Sequence, residues 1–331
     1  MRSKITFYQR KNLQKNGSVE IIFNNLRNDI KDNFILKIKV LRYTSSNIFN
    51  VIYNIFDSFF CQGDINHVTG DIQYVAILLK KNKTILTILD CIYLEKSVGI
   101  KHILFKYLFL IFPINNSRFI TTISEFSKSS ILKYYPDLNP DKIIVIPVSI
   151  SDNFKFKYKD FNNKEPRLLQ IGTNYNKNII NLIKSINNLK CILVIIGNIS
   201  NEIYEELIIN NIKFENYIDI SENDIIKHYE DCDLVTFVST YEGFGMPIIE
   251  ANTIGRCVIT SNCSSMPEIA NDAACLVDPF SINSIREGIL KIFNDYVYRE
   301  NLIKNGLINA KRYNRKNIHN QYLALYKNLN E

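Results

Sequence analysis

The sequence predicts an α/β chain built as two doubly wound domains that face each other across a cleft. Three observations carry that prediction. The chain has 331 residues, 46% of them hydrophobic, which is enough material for two cores. Short β-branched apolar runs alternate with amphipathic stretches, and this βα rhythm occurs twice. Between Pro147 and Pro166 it lapses into SDNFKFKYKDFNNKEP, a Lys- and Asn-rich stretch read as a linker over 151–166.

In the first domain, 1–150, strands are expected at Ile5–Tyr8, Phe34–Val40, Ile65–Val68, Thr84–Ile88, Phe119–Ile123 and Ile143–Ile146. Helices are expected over Val19–Ile30 and Asn47–Phe60. The strand runs are short and β-branched, as parallel strands buried on both faces should be. The second domain, 167–312, repeats the scheme with strands at Leu168–Ile171, Ile192–Ile196, Leu234–Val238 and Cys257–Thr260. Its helices are expected over Ile179–Asn188, Glu202–Asn210, Glu222–Tyr229 and Pro247–Ile254, and a final helix, Asn317–Leu329, within 313–331. Open parallel sheets bind ligands beyond the carboxyl ends of their strands, so two of them make a cleft between domains.

Charge is uneven. Residues 1–150 hold 20 Lys and Arg against 11 Asp and Glu, whereas 151–331 hold 20 against 22. A basic half suits a phosphorylated substrate or an anionic membrane surface. The absence of zinc-finger spacing, RNP-type aromatics and an Arg tract argues against nucleic acid. The run Ile103–Ile114, ILFKYLFLIFPI, is too short to span a bilayer, so its default meaning is a buried helix, with membrane docking as the alternative. Seven cysteines without a CxxC pair read as small core residues in a reducing compartment. MRSKITFYQRKN lacks the apolar stretch of a signal peptide, which predicts a cytoplasmic protein. His67, His102, His228 and His319 have no i, i+4 partner, so no metal is expected.

The passage richest in chemistry runs DLVTFVSTYEGFGMPIIEANTIGRCVITSNCSSMPEIANDAACLVDP, from Asp233 to Pro279. After the strand comes a turn with Gly243 and Gly245, and Pro247 then sits in the first turn of a helix, where its missing N–H is harmless. Glycines there let a ligand approach the backbone, and the unpaired N–H groups of a helix start attract phosphate; a diphosphate would fit. Glu242 lies in the loop and Glu250 about one turn into the helix, so both carboxylates can reach one ligand, Glu242 at a sugar and Glu250 at ribose hydroxyls. A bare Glu-x7-Glu spacing is common by chance. The glycines, the proline and the preceding strand make it specific.

Glu242-Gly243-Phe244-Gly245, Pro247, Glu250, Gly255, Val258-Ile259, Ser261 and Pro267-Glu268 occur in an order that resembles glycosyltransferase family 4, retaining enzymes with the two-Rossmann GT-B fold. Looser matches in the first half, His67-Val68-Thr69-Gly70-Asp71, Thr84-Ile85-Leu86-Thr87 with Asp90, and Ile123-Ser124-Glu125-Phe126-Ser127, are similar to members that build bacterial surface polysaccharides. The resemblance implies a hexosyltransferase that moves a sugar from a nucleoside diphosphate to a glycan or lipid-linked acceptor. It implies no cofactor or metal, and a cytoplasmic site of action, peripheral to the inner membrane face. It also implies that 313–331 crosses back onto an acceptor-side first domain. Carried over by position, Glu242 and Lys177 are the catalytic candidates. Gly172, Thr173, Phe244, Gly245, Met246 and Glu250 would hold the donor, with the base contacted mostly by backbone around Ile218 to Ser221, and Gly17 and Asp90 would stand on the acceptor side.

Two departures bear on activity. Family members commonly place His where this chain has Leu89, and leucine cannot donate a hydrogen bond. They also usually set Arg and Lys on the diphosphate, where Gly172-Thr173-Asn174-Tyr175-Asn176-Lys177-Asn178 supplies only Lys177. These departures motivate an alternative: a catalytically weak or inactive sugar-nucleotide-binding or regulatory subunit. An epimerase of the same fold is disfavoured by the lack of a further cluster of carboxylates and histidines.

Overall fold

The structure is a computed structural model that describes residues 2–11 and 18–329. The chain divides into two compact units, Met1–Ser149 with Lys316–Glu331, and Ile150–Arg315. Each holds one six-stranded sheet, and every strand pairing is parallel.

The first sheet comprises β1 (Lys4–Gln9), β2 (Ile35–Val40), β3 (Ile65–Val68), β4 (Thr84–Thr87), β5 (Phe119–Thr122) and β6 (Ile143–Val145), in the order β2-β1-β3-β4-β5-β6. The link from β1 to β2 steps one way across the sheet and all later links step the other way. With right-handed crossovers, the helix Ser18–Ile30 therefore covers one face and the remaining connections cover the other. The helix Arg315–Asn328 joins Ser18–Ile30: Tyr322 packs edge-on to Phe23, and Tyr326 contacts Phe7 and Phe34. Its Tyr326 hydroxyl lies 2.7 Å from His67 Nδ1, and Thr87 Oγ1 lies 2.7 Å from Nε2. Burial pushes His67 down to about 3, so it is a satisfied, neutral core histidine.

The expected buried helix at Ile103–Ile114 is only half correct. Helix Gly99–Phe105 continues through a π-helical stretch, Lys106–Ile111, into Phe112–Asn115. Pro113 has no N–H to offer the Phe109 carbonyl, which accepts from the Tyr93 hydroxyl instead (3.4 Å). Leu110 and Ile114 are buried, but Ile103, Leu104, Tyr107 and Phe112 are exposed. Among the described residues, no helix is long and apolar enough to cross a membrane.

The second sheet comprises β7 (Arg167–Ile171), β8 (Ile192–Ile196), β9 (Phe214–Tyr217), β10 (Leu234–Phe237), β11 (Cys257–Ser261) and β12 (Cys275–Val277), in the order β12-β11-β10-β7-β8-β9. Every residue of β8, β10 and β11 is buried, which explains the unbroken apolar run of β8 and the absence of charged residues from the other two. The stretch 151–166 is irregular as expected but does not hang free. Phe154 is buried against Tyr229, Lys159 pairs with the fully buried Asp233, and Asp233 also accepts from the Asn162 and Arg167 N–H groups (3.0 and 2.7 Å). Its phenylalanines and one buried carboxylate anchor it to the second unit, an outcome that its polar composition hid. All seven cysteines are free thiols.

Candidate active site

The site lies where the strand order reverses. β7 neighbours β10, and the connections from β7 run out to β8 and β9 while those from β10 run to β11 and β12. The loops leaving the carboxyl ends of β7 and β10 therefore diverge and leave a crevice at the switch point. Residues 172–178 follow β7, and residues 238–245 follow β10.

Hydrogen bonds tie these loops together. Thr240 N–H donates to the Asn176 carbonyl (2.8 Å), and Asn176 Nδ2 donates to the Tyr241 carbonyl (3.0 Å) and to Glu242 Oε1 (3.1 Å). Lys177, in the 3-10 turn Tyr175–Lys177, sets its Nζ 2.8 Å from Glu242 Oε1 and 4.7 Å from the Phe237 ring centroid. The two catalytic candidates thus form a half-buried ion pair. Gly172 makes room for the lysine: its φ is +83°, and a Cβ there would stand 3.1 Å from Lys177 Cε. Thr173 turns towards β8 and donates its hydroxyl to the Asn198 carbonyl (2.6 Å).

Two serines shape the loop after β10. Ser264 Oγ accepts from the Glu242 N–H (3.0 Å) and donates to the Glu242 carbonyl (2.7 Å). Ser265 Oγ stands within reach of the Glu242 (2.9 Å) and Phe244 carbonyls. The Phe244 side chain is buried, edge-on to Tyr313 (5.6 Å), so only its backbone is left for a ligand. Gly245, at φ +131°, is the N-cap of helix Met246–Ile254, and a Cβ on it would meet Ile248 Cδ1 at 3.0 Å. This helix has no side-chain cap; Pro247 has no N–H and the Ile248 N–H donates to the Gly245 carbonyl (3.0 Å), so it is the Gly245 and Met246 amides at its start that are placed to meet an anion.

Glu250 lies one turn further along. The Tyr229 hydroxyl, on helix Glu222–Asp231, donates to Glu250 Oε2. The side chain keeps an edge open to solvent, yet the protein packed around it pushes the carboxyl up to about 7; the Tyr229 hydrogen bond and the Lys177 charge oppose that rise. Lys177, Glu242 and Glu250 therefore share one electrostatic neighbourhood.

The crevice brings together Lys177, Glu242, Glu250, Gly172, Gly245 and Met246, with Thr173 beside it. Asn176, Tyr229, Ser264 and Ser265 were not singled out from sequence. The only signal for the serines was their place in SNCSSMPE, three and four residues beyond β11. In the first unit, Asp90 Oδ1 accepts from the Ile92 N–H (3.0 Å), closing a local turn. Leu89 helps line a small, mostly apolar cavity with Phe23, Ile123, Pro147 and Tyr322, to which Ser149 and His319 also contribute. Arg10, just past β1, pairs with Glu20 and with Asp71, each at 2.8 Å; Asp71 closes the match that begins at His67, whereas Arg10 was not singled out from sequence. Gly17 lies outside the described residues. Among the described residues, no group of three or more His, Cys, Asp or Glu side chains is arranged to hold a metal ion.

Residues 151–308 match the model of the family described as glycosyl transferases group 1. Over 108 residues the chain is 34% identical to O-antigen chain mannosyltransferase B of Escherichia coli, covering 33% of this chain and 28% of that protein. Over 220 residues it is 26% identical to O-antigen chain mannosyltransferase RfbU of Salmonella typhimurium, covering 60% of each. The matches thus span less than two thirds of these relatives. Among solved structures, Anabaena HepE in complex with UDP and glucose superposes with a TM-score of 0.80 at 12% identity, over 98% of this chain and 100% of that one. WaaG, a glycosyltransferase involved in lipopolysaccharide biosynthesis, gives 0.76 at 13% identity over 97% and 99%. At such identities the likeness shows the fold, which is GT-B. The matched segment contains the whole crevice between β7 and β10, and over it the chain is similar to the group 1 glycosyltransferase family.

Proposed function

We propose that the protein transfers a hexose-type sugar from a nucleoside diphosphate to a glycan or lipid-linked acceptor, with retention of configuration, in surface polysaccharide synthesis. The observation that carries this reading is the crevice itself: an uncapped helix start preceded by Gly245, with Lys177 paired to Glu242 on one side and Glu250 one turn along. When the bond to the diphosphate breaks, negative charge grows on the leaving phosphate. Amides fixed at the helix start, together with Lys177, stabilise that charge more than they stabilise the ground state. Glu242 is assigned to the sugar hydroxyls and Glu250 to the ribose. In this reading the anion is met by backbone and Lys177, with no metal assigned, so a chelator should leave turnover unchanged.

The mannosyltransferase relatives and the UDP and glucose held by HepE make mannose and glucose nucleotides the first donors to test. Release of nucleoside diphosphate is the assay, with Glu242→Ala as the control. Absence of turnover with every donor and acceptor extract, alongside measurable nucleotide binding, would instead favour the sugar-nucleotide-binding subunit. One observation favours that second reading. Leu89, where relatives of this family commonly hold a histidine, helps line a small, mostly apolar cavity.

A further inference from the structure

We propose that Asn176 is a positioning residue for the donor: together with Lys177 it occupies one oxygen of the Glu242 carboxylate and leaves the other, Oε2, as the acceptor for a sugar hydroxyl. The inference rests on the donor reading of the crevice and gives Glu242 an orientation that the reading alone does not require. Asn176 Nδ2 donates to Glu242 Oε1 (3.1 Å), and Lys177 Nζ lies 2.8 Å from the same oxygen. Among the described residues no hydrogen bond is made to Oε2, and Oε2 is not a buried atom. One half of the carboxylate is thus satisfied by the protein and the other half is open to a ligand.

The parts that hold this orientation are themselves held. Ser264 Oγ accepts from the Glu242 N–H (3.0 Å) and donates to the Glu242 carbonyl (2.7 Å), which fixes the glutamate from its backbone side. The loop that carries Asn176 is stitched to the segment after β10 at three points. Asn178 Nδ2 donates to the Val238 carbonyl (3.0 Å), the Thr240 N–H to the Asn176 carbonyl (2.8 Å), and Asn176 Nδ2 to the Tyr241 carbonyl (3.0 Å). Two acceptors, the Tyr241 carbonyl and the Glu242 carboxylate, therefore converge on one nitrogen. A side-chain amide answers both, because its NH2 has two hydrogens to give and carries no charge; a serine has one, and an ionised aspartate none. A glutamate free to rotate must be ordered by each ligand it meets, whereas one ordered in advance offers its acceptor without that loss. The ligand this fits is a donor sugar with a free hydroxyl facing Oε2.

The test is calorimetric titration of the full chain with UDP and UDP-glucose, and with GDP and GDP-mannose, in wild type, Asn176→Ala, Asn176→Gln and Glu242→Ala. The quantity read is the ratio of affinities for the sugar nucleotide and its bare nucleotide, in which changes at the phosphates, ribose and base cancel. Asn176→Ala should lower that ratio by about tenfold, the worth of a hydrogen bond to a charged group. Affinity for the bare nucleotide should hold, because Lys177 keeps its own bond to Oε1. Asn176→Gln, which retains both hydrogens, should recover most of the loss, a rescue that a purely structural role in the loop would show equally for both ligands. Where the alanine variant fails to fold, Asn176→Ser keeps a hydrogen for one of the two acceptors and should show a smaller loss confined to the sugar nucleotide. Equal losses for bare and sugar-bearing nucleotides would overturn the inference, as would a ratio that Glu242→Ala lowers and the Asn176 variants do not; both outcomes leave the donor reading standing. A ratio that Glu242→Ala also leaves unchanged would overturn the sugar role of Glu242 itself, and the inference with it.

Discussion

Replacing Glu250 by Gln should stabilise the second unit at and above neutral pH while weakening nucleotide binding. Burial pushes the Glu250 carboxyl up to about 7 from an ordinary 4.5. The folded state thus holds this proton more tightly than the unfolded chain does. The resulting contribution is complete below about pH 4.5 and is lost as pH rises to about 7. At about 1.36 kcal/mol per pH unit, the loss amounts to about 3 kcal/mol at most; with one edge of the side chain in solvent, about 1–2 kcal/mol is the working figure. Gln keeps an oxygen to accept from Tyr229 and carries no charge to desolvate. Urea unfolding of the two proteins should coincide near pH 5 and separate by about 1–2 kcal/mol at pH 8, the variant being more stable. Calorimetric titration with nucleoside diphosphates should show the variant binding more weakly, because a neutral amide is a poorer acceptor for ribose hydroxyls. A variant no more stable than wild type at pH 8 would refute the claim that ionised Glu250 is held at a cost for the sake of the ligand.

Three further substitutions probe the same crevice. Tyr229→Phe removes a hydrogen bond to a carboxylate worth about 1.5–3 kcal/mol, so Glu250 should hold its proton to still higher pH. Nucleotide affinity should then fall at pH 7 and recover towards pH 8.5; a pH-independent loss would point to packing alone. Gly245→Ala places a Cβ at φ +131° and 3.0 Å from Ile248 Cδ1, at a cost of about 1–3 kcal/mol, read as a lower Tm together with weaker binding. Glu242→Gln breaks the ion pair with Lys177 and leaves the lysine to a phosphate. Affinity for a nucleoside diphosphate without its sugar should rise by up to about fivefold, the worth of a partly exposed pair, while turnover falls. Weaker diphosphate binding would show that Lys177 does not serve the phosphate.

Most of the fold was legible because parallel strands buried on both faces have no polar alternation to confuse the reading. Ile65–Val68 and Ile192–Ile196 are strands over the spans expected from sequence, and the helix expected at Glu222–Tyr229 extends to Asp231. Failures arose where local composition and tertiary position disagree. ILFKYLFLIFPI reads as core because every residue type in it but Lys106 suits a core, and nothing local reports that only one side of the helix meets the core. The stretch 151–166 reads as free linker because Lys and Asn outnumber its phenylalanines. Phe154 finds Tyr229 some 75 residues away, and Lys159 finds Asp233 at a similar remove. Such pairings leave no periodicity behind.

The crevice divides along the same line. Glu242, Gly245 and Glu250 stand on one short segment whose strand, turn and helix start are all marked locally, so their grouping could be read directly. Tyr229, Ser264 and Ser265 act across 21 to 23 residues of sequence, through hydroxyls that are unremarkable in composition. Their positions alter how the sparse cation content should be weighed. Lys177 reaches the crevice already paired with Glu242, so in the proposed reading it brings only part of its charge to a diphosphate, and the larger share of the attraction falls to the amides at the start of helix Met246–Ile254. Amides act on an anion only if they are aimed, and here the aim is set by the positive φ of Gly245 and by serine hydroxyls holding the Glu242 and Phe244 carbonyls. On the proposed function, a site that lacks the usual arginine is one in which backbone geometry takes over much of the work of a side-chain charge, and the serines that hold that geometry belong to the proposal as fully as the glutamates do.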